Sequence, residues 1–212
     1  MGESIERCPL FPLGLVLLPG EVVPLHIFEE RYKALVDTCL EQDSEFGIVW
    51  LGDDGLQDIG CAAEITQLLE RMEDGRMNIL VQGTRPFRLE RRIDDMDFPA
   101  GDVRVLDEEP DEDPAETTAA GESARASYAD LVEQVTDSRP SEADLTELDA
   151  YGMASTIAFD LEAKQELLEL RTEAERLKRL AGLCVEALER LDYAHKAARR
   201  AQGNGKVRGK DG

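Results

Sequence analysis

The four cysteines and two histidines are the side chains of this sequence with the most capacity for metal binding or nucleophilic chemistry. No two cysteines have the C-x-x-C spacing of a zinc or redox site. Each lies among apolar neighbours, where a free cysteine behaves as a small buried apolar side chain. The spacing therefore predicts four structural cysteines, no metal site and no cofactor; they are Cys8, Cys39, Cys61 and Cys184.

The other possible sources of catalysis are equally weak. His26 stands between two apolar residues, which favours a structural role, and His195 lies near the end of a predicted helix, where a cation is ordinary. The run Gly203-Asn204-Gly205-Lys206 is followed by valine instead of the Ser or Thr of a phosphate loop. The sequence has no G-x-S-x-G elbow and no H-E-x-x-H motif. We therefore predict no catalytic residue.

The charge of the chain excludes several classes of partner. Its 212 residues include 24 Lys plus Arg and 46 Asp plus Glu, a formal net charge of −22. Such a charge opposes binding to nucleic-acid backbones and to anionic membrane surfaces. No apolar run approaches the ~20 residues of a membrane-spanning helix, and residues 1–7 do not resemble a signal peptide. We expect a cytoplasmic protein without membrane contact.

The composition divides the chain into four parts. Residues 1–106 carry most of the β-branched and aromatic residues and most of the turn signals. Residues 107–123 contain eight acidic residues, two prolines and no basic residue, which predicts a solvated linker. A helical pattern occupies residues 124–200. Residues 201–212 form a basic, Gly-rich tail that we predict to be disordered.

The first part reads as a series of short strands. Asp74-Gly75 supplies the positive φ of a tight hairpin between two of them. Many short strands separated by Gly and Pro turns favour a small barrel or a sandwich over a parallel sheet. The predicted strands are Leu10–Leu18, Val22–Ile27, Phe46–Leu51, Gly60–Leu69, Met77–Gln82, Phe87–Ile93 and Asp102–Leu106.

Apolar residues at helical spacing predict the remaining elements. A helix over Phe28–Leu40 would place Phe28, Tyr32 and Leu35 on one face. In the second half, one helix includes Tyr128–Val135, Ser141 caps another that runs to Phe159, and Asp160 precedes a third that runs to Leu170. Thr172 and Glu175 form a capping box at the start of the last helix.

Residues 9–32 read PLFPLGLVLLPGEVVPLHIFEERY. Their pattern of prolines and glycines among apolar residues resembles the start of the Lon protease N-terminal domain, also called the Lon substrate-binding domain. It resembles in particular the short bacterial proteins that consist of this domain alone. The resemblance continues through GCAAEI at 60–65, DGRMNILVQGTRPF at 74–87, and KQELLE at 164–169 with Arg176-Leu177. Pro86 stands where the family's pattern has a basic residue.

The resemblance implies an α+β fold, with a PUA-like small β-barrel followed by a C-terminal α-helical bundle. It also implies a non-catalytic module that binds polypeptide or hydrophobic segments in protein quality control, with polypeptide substrates or a partner protease as partners. Complete Lon proteases add an ATPase module and a serine–lysine peptidase module, and 212 residues leave no room for either. We therefore expect no peptidase activity. The oligomeric state stays open.

The resemblance further implies that the helix after His26-Ile27-Phe28 contacts substrate. Glu29, Glu30 and Arg31 are then predicted as a polar rim of the peptide-binding site, with Phe28 and Tyr32 as anchors. The helical phase of Phe28 and Tyr32 with Leu35 favours the alternative, that both belong to the core.

Two other functions remain open at this point. PUA-like barrels of other families bind RNA, and one basic cluster could support nucleic-acid or nucleotide binding. The cluster consists of Arg85, Arg88, Arg91 and Arg92. Glu90 partly neutralises it, which argues against this function. A small-ligand site is the second alternative, and no residue type in the sequence nominates it.

Overall fold

The computed structural model describes residues 2–93 and 95–204, with seven strands and six helices among them. The order of strands followed by helices confirms the predicted α+β class. The strands are β1 (Ser4–Leu13), β2 (Val22–Ile27), β3 (Phe46–Gly52), β4 (Gly55–Leu56), β5 (Ile59–Arg71), β6 (Met77–Ile93) and β7 (Ala100–Val105). The helices are α1 (Glu30–Gln42), α2 (Pro114–Thr136), α3 (Glu142–Thr146), α4 (Ala150–Ser155), α5 (Leu161–Glu169) and α6 (Glu173–Asn204).

Five of the strands close into a ring. The hydrogen-bonded order runs β1-β7-β6-β5-β3, and β1 also pairs with β3 in parallel. The other four pairings of the ring are antiparallel. Each ring strand contributes to one cluster of buried side chains, so the ring is filled; the cluster includes Leu10, Val49, Ala62, Phe87 and Val103.

The hairpin of β5 and β6 extends beyond the ring, and β2 pairs with the first six residues of β6. Gly75 in the hairpin turn has φ +80°, as the Asp-Gly signal predicts. Helix α1 lies along this extension: Lys33 donates to the carbonyl oxygen of Asp74, and Arg71 pairs with Asp37 at 2.6 Å. One face of the three-stranded extension is therefore covered by α1.

The first strand differs from its prediction. Strand β1 ends at Leu13, and Val16, Leu17 and Leu18 are buried in a segment without regular structure. The N–H of Leu18 donates to the Glu21 carboxylate at 2.9 Å. The Glu21 side chain therefore accepts the hydrogen bond from a buried backbone N–H that a neighbouring strand would accept in a regular sheet.

Strand β6 is a second difference, because it continues through the break that we predicted between Gln82 and Phe87. Pro86 lies opposite Cys61, where the register of β5 shifts, and its carbonyl oxygen accepts from the N–H of Leu106 at 2.9 Å. A proline is tolerated within a strand where an irregular partner requires no N–H from it.

The caps of the helical part agree with the sequence. Ser141 and Asp160 accept hydrogen bonds from the N–H groups of Asp144 and Ala163, and Thr172 and Glu175 exchange the two bonds of a capping box. The helix predicted from Ser141 to Phe159 is instead two short helices, α3 and α4. Asp149 caps the second of them by accepting from the N–H of Gly152 at 2.6 Å.

The structure corrects the prediction that the acidic residues 107–123 form a solvated linker. Helix α2 begins at Pro114, with Asp113 as its N-cap, so the second half of that segment is helical. Ala120 and Ala124 are buried in the core that α2 and α6 share, because small side chains let helices approach closely. The preceding residues are held as well: Glu108 pairs with Arg176, and Asp111 accepts from the N–H of Ala174 at 3.1 Å.

The two parts of the chain share one core and a polar junction. One cluster of buried side chains includes residues of the strands and of the helices. The KQELLE motif lies at this junction: Lys164 pairs with Glu21 at 2.7 Å, and Gln165 donates to the carbonyl oxygen of Ile59 at 3.1 Å. Of the predicted tail, residues 201–204 belong to α6, and residues 205–212 lie outside the described part of the chain.

Candidate functional site

The face of the three-stranded extension that α1 leaves open carries several exposed apolar side chains. Strand β2 alternates along its length: Val23, Leu25 and Ile27 point towards the core, and the residues between them point outwards. We define the outer surface as Val22, Pro24, His26 and Phe28, with Leu69 of β5 and Leu80 of β6 beside them.

Polar contacts within the outer surface hold its side chains in place. The Nδ1 atom of His26 lies 2.7 Å from Oδ1 of Asn78, and Asn78 donates to the carboxylate of Glu70 at 3.0 Å. These contacts cross all three strands of the extension. The ring of Phe28 stacks on that of His26, with 6.0 Å between centroids. Phe28 is therefore positioned although 60% of its surface is exposed.

The backbone of β2 affects how a ligand could bind here. Among the residues described, β2 pairs with β6 alone, so its second edge is open. Pro24, in the middle of β2, has no N–H. A proline in a sheet normally lies on an edge strand, with the position of the missing N–H facing solvent. The open edge is thus poorly suited to pairing with an added strand, and side-chain contacts are the means of binding that this surface offers.

Three of the predicted site residues form a polar border next to Phe28. Glu29 is the N-cap residue of α1 and pairs with Arg31 at 2.8 Å, and Glu30 pairs with Lys33 at 2.8 Å. The Arg31 guanidinium also lies over the ring of Tyr32, 4.5 Å from its centroid. The structure thus brings Glu29, Glu30 and Arg31 together at the end of β2.

Phe28 and Tyr32 are separated by the start of the helix. Glu29 has an extended backbone (φ −77°, ψ 138°), so α1 begins at Glu30 and Phe28 is outside its helical phase. Tyr32 is buried and stacks on Phe11 at 4.0 Å, and burial raises the pKa of its hydroxyl. The shared helical face was therefore a wrong prediction for Phe28, and Tyr32 is a buried residue of the core.

Sequence reasoning missed most of the outer surface. Val22, Pro24, Leu69 and Leu80 were read as ordinary strand residues. The sequence does contain a signal for this surface. Along the segment VVPLHI, both alternating faces carry apolar residues, and a proline lies within the strand. A short strand of this kind indicates an edge strand with apolar side chains on its exposed face.

The basic cluster proposed for nucleic acid is partly neutralised by neighbouring carboxylates. Arg85 pairs with Glu3 at 3.0 Å and with Glu45 at 3.1 Å, and Arg91 pairs with Asp102 at 2.5 Å. Two of the four arginines are thus engaged by carboxylates within the protein.

The four cysteines are buried, and none of them is in a disulfide. Desolvation by burial raises the pKa of Cys8 and of Cys184 to about 12, and it raises the pKa values of Cys39 and Cys61 as well. Within residues 2–93 and 95–204, no group of three or more His, Cys, Asp or Glu side chains is placed to hold a metal ion. In the same part of the chain, no helix is long and apolar enough to cross a membrane.

We expect the native protein to resist thiol reagents at pH 8, because the thiolate is the reactive form and its formation is suppressed in the folded state. All four cysteines should react with Ellman's reagent in urea, and none within minutes without it. The raised pKa values also make folding pH-dependent. Their stabilising contribution is complete below the ordinary thiol pKa of about 9 and is lost as the pH rises towards 12.

Urea unfolding at pH 8 and at pH 10.5 measures this dependence, and the midpoint should be lower at pH 10.5. Fast labelling of any native thiol would contradict the burial.

A ring of strands followed by packed helices is an architecture that solved Lon N-terminal domains share with this chain. The N-terminal domain of Lon protease from the Mycobacterium avium complex matches 86% of this chain and 98% of its own, with a TM-score of 0.65 and 21% identity. The Lon N-terminal domain protein from Xanthomonas campestris matches 84% of this chain and 98% of its own, with a TM-score of 0.59 and 25% identity.

Residues 7–185 match the family model of the ATP-dependent protease La (LON) substrate-binding domain. The chain belongs to this family. Lon protease of Cytophaga hutchinsonii is 26% identical to it, over 87% of this chain and 24% of the relative, and Lon protease 1 of Hydrogenovibrio crunogenus is 28% identical, over 84% and 24%. The chain thus spans about a quarter of the length of the curated relatives. What matches is the substrate-binding domain and no catalytic module.

Proposed function

We propose that this chain is a non-catalytic binding module that recognises apolar segments of polypeptides in protein quality control. The observation that carries this proposal is the exposed outer surface, where Phe28 projects after the end of β2 against His26, and Pro24 and Val22 continue the same face along the strand. Contiguous exposed apolar side chains within a polar border are typical of interaction sites. Membership of the LON substrate-binding family supports the same assignment.

The client chemistry follows from the border and from the charge of the chain. Glu29, Glu30 and Glu70 border the outer surface, and the whole chain carries a net charge of −22. A basic or neutral apolar segment would approach without electrostatic repulsion, whereas an acidic one would be repelled. The relatives are proteases, and the bound polypeptide would pass to a separate protease that supplies the cleavage. The cytoplasm is the proposed location, since the four buried thiols are not in disulfides.

Replacing Phe28 with alanine should weaken the binding of an unfolded polypeptide by about tenfold, because Phe28 is the largest exposed apolar side chain of the surface. Fluorescence anisotropy of labelled lysozyme that has been reduced and carboxamidomethylated, an unfolded basic polypeptide, measures this with the full chain. Leu69→Ser, on another strand of the same surface, should weaken binding too. The matched control is Leu51→Ser, which changes an equally exposed leucine on β3 away from the surface.

The fold of each variant can be checked by circular dichroism. Equal affinities of the parent and the Phe28→Ala variant would place the binding site elsewhere, and no binding of the unfolded lysozyme by the parent would contradict a polypeptide client.

A further inference from the structure

An apolar groove in the helical part is separate from the outer surface and shares no residue with it. The groove has a volume of about 720 Å³ and lies between α2, the segment joining α4 to α5, and α6. This volume falls within the range of ligand-binding clefts. Its walls are mostly apolar, with Leu131, Val132, Val135, Ile157, Phe159 and Leu191 among the lining residues.

The apolar lining reaches the open surface at both helices. Val135, near the end of α2, is 64% exposed, although it is an apolar residue in a helix. Along α6, Arg190 lines both the groove and a shallower depression that includes Tyr193, an exposed aromatic residue. From Ala187 to Tyr193 this track is about 9 Å long, or nearly two helical turns. Two helices flanking an apolar groove of this length can accept the side-chain ridge of a third helix.

The rim of the groove carries more carboxylates than cations. Asp160 and Arg190 line the groove, and Glu186 and Glu189 line the adjoining depression beside Arg190. Asp160 and Glu186 share Arg190 at 3.7 and 3.8 Å. Three carboxylates thus lie beside Arg190, and Arg179 pairs with one of them, Glu186, at 3.0 Å. This excess of negative charge favours a cationic occupant.

We propose that this groove binds a basic amphipathic helix of a partner protein, with leucine-like side chains between α2 and α6 and Lys or Arg side chains against the rim carboxylates. The charge also argues against a second copy of this chain, because two chains of −22 repel each other. Such docking through the helical part leaves the outer surface free for a polypeptide client. This assignment does not depend on the proposed function.

A labelled helical peptide of about 18 residues, built from Leu and Lys with all leucines on one face, is a suitable probe. Its affinity for the full chain is measured by fluorescence anisotropy. Val135→Lys should weaken binding at least tenfold, because it removes an apolar contact and adds a like charge. The matched control is Val185→Lys, which makes the same change at an exposed position of α6 outside the groove and should alter the affinity less than twofold. Lysine is a good helix former, so both variants should fold.

Three further measurements test the stated occupant. A peptide of the same composition with scrambled order should bind at least tenfold more weakly, and so should a peptide with Glu in place of Lys. Because a Leu/Lys peptide can also bind the outer surface, Val135→Lys is repeated in a Phe28→Ala background, where it should again weaken binding at least tenfold. Equal binding of the scrambled or acidic peptide, equal losses in the two valine variants, or an effect of Val135→Lys below twofold in the Phe28→Ala background would each overturn the proposal. Sedimentation that shows a dimer dissociated by Val135→Lys would assign the groove to a second copy and overturn it as well.

Discussion

Replacing Gly83 with alanine should destabilise the protein by more than about 4 kcal/mol or prevent it from folding. A Cβ at this position would lie 2.2 Å from the carbonyl oxygen of Leu18 and 3.1 Å from Sγ of Cys61. The oxygen belongs to the backbone of a buried residue, so it cannot move aside as a flexible side chain would. Gly83 also exchanges hydrogen bonds with the turn: the N–H of Gly20 donates to Gly83 at 2.8 Å, and Gly83 donates to Glu21 at 2.9 Å.

Urea unfolding followed by circular dichroism measures the free energy of unfolding of this variant. Gly14→Ala is the matched control, because no atom lies within 4 Å of where its Cβ would be. The control should change stability by no more than about 1 kcal/mol. A Gly83→Ala variant within about 1 kcal/mol of the parent would show that β6 and the Leu18 segment are not in close contact.

The second large effect is expected at the ion pair between the strand-rich part and the helices. Lys164→Met should reduce the free energy of unfolding by about 3 kcal/mol, because it leaves the Glu21 carboxylate poorly solvated and without its cation. The Lys164 ammonium lies 2.7 and 2.8 Å from the two carboxylate oxygens, and the side chains are only 12% and 14% exposed. Glu21 also accepts from the N–H of Leu18, so loss of the lysine should loosen the same turn that Gly83 contacts.

A double-mutant cycle with Lys164→Met and Glu21→Gln separates this interaction from the individual effects of the two substitutions. Asp130→Asn is the control, since Asp130 pairs with Arg139 at a similar distance but is 56% exposed. Its loss should cost less than about 1 kcal/mol. A coupling energy below about 0.5 kcal/mol between Lys164 and Glu21 would mean that this ion pair contributes little to holding the two parts together.

The resemblance of KQELLE to the Lon family was visible in the sequence, but the physical role of its residues was not. Lys164 and Gln165 are 143 and 106 residues away from the groups that they bind, Glu21 and the carbonyl oxygen of Ile59. No local pattern predicts contacts at such separations. The same is true of Gly83, whose close approach to Leu18 depends on the path of a segment without regular structure.

The candidate binding surface was predicted only in part, for a comparable reason. The segment Phe28–Tyr32 was identified by its resemblance to the family, and the structure places Phe28 at the surface and Tyr32 in the core. Which of the two is exposed depends on where α1 begins, and a shift of two residues reverses the assignment of Phe28. The remainder of the outer surface comes from β2, β5 and β6, whose pairing brings residues together that are distant along the chain.

The sequence by itself determined the features that depend on neighbouring residues. The strand Val22–Ile27, the turn at Gly75 and the caps at Ser141, Asp160 and Thr172 follow from contacts within a few residues, so local patterns suffice for them. Only the tertiary structure decided the closure of the strand ring, which the turn pattern had left open between a barrel and a sandwich, and the continuation of β6 through Pro86. Each of these is stabilised by partners far along the chain, and burial against those partners outweighs the local preference.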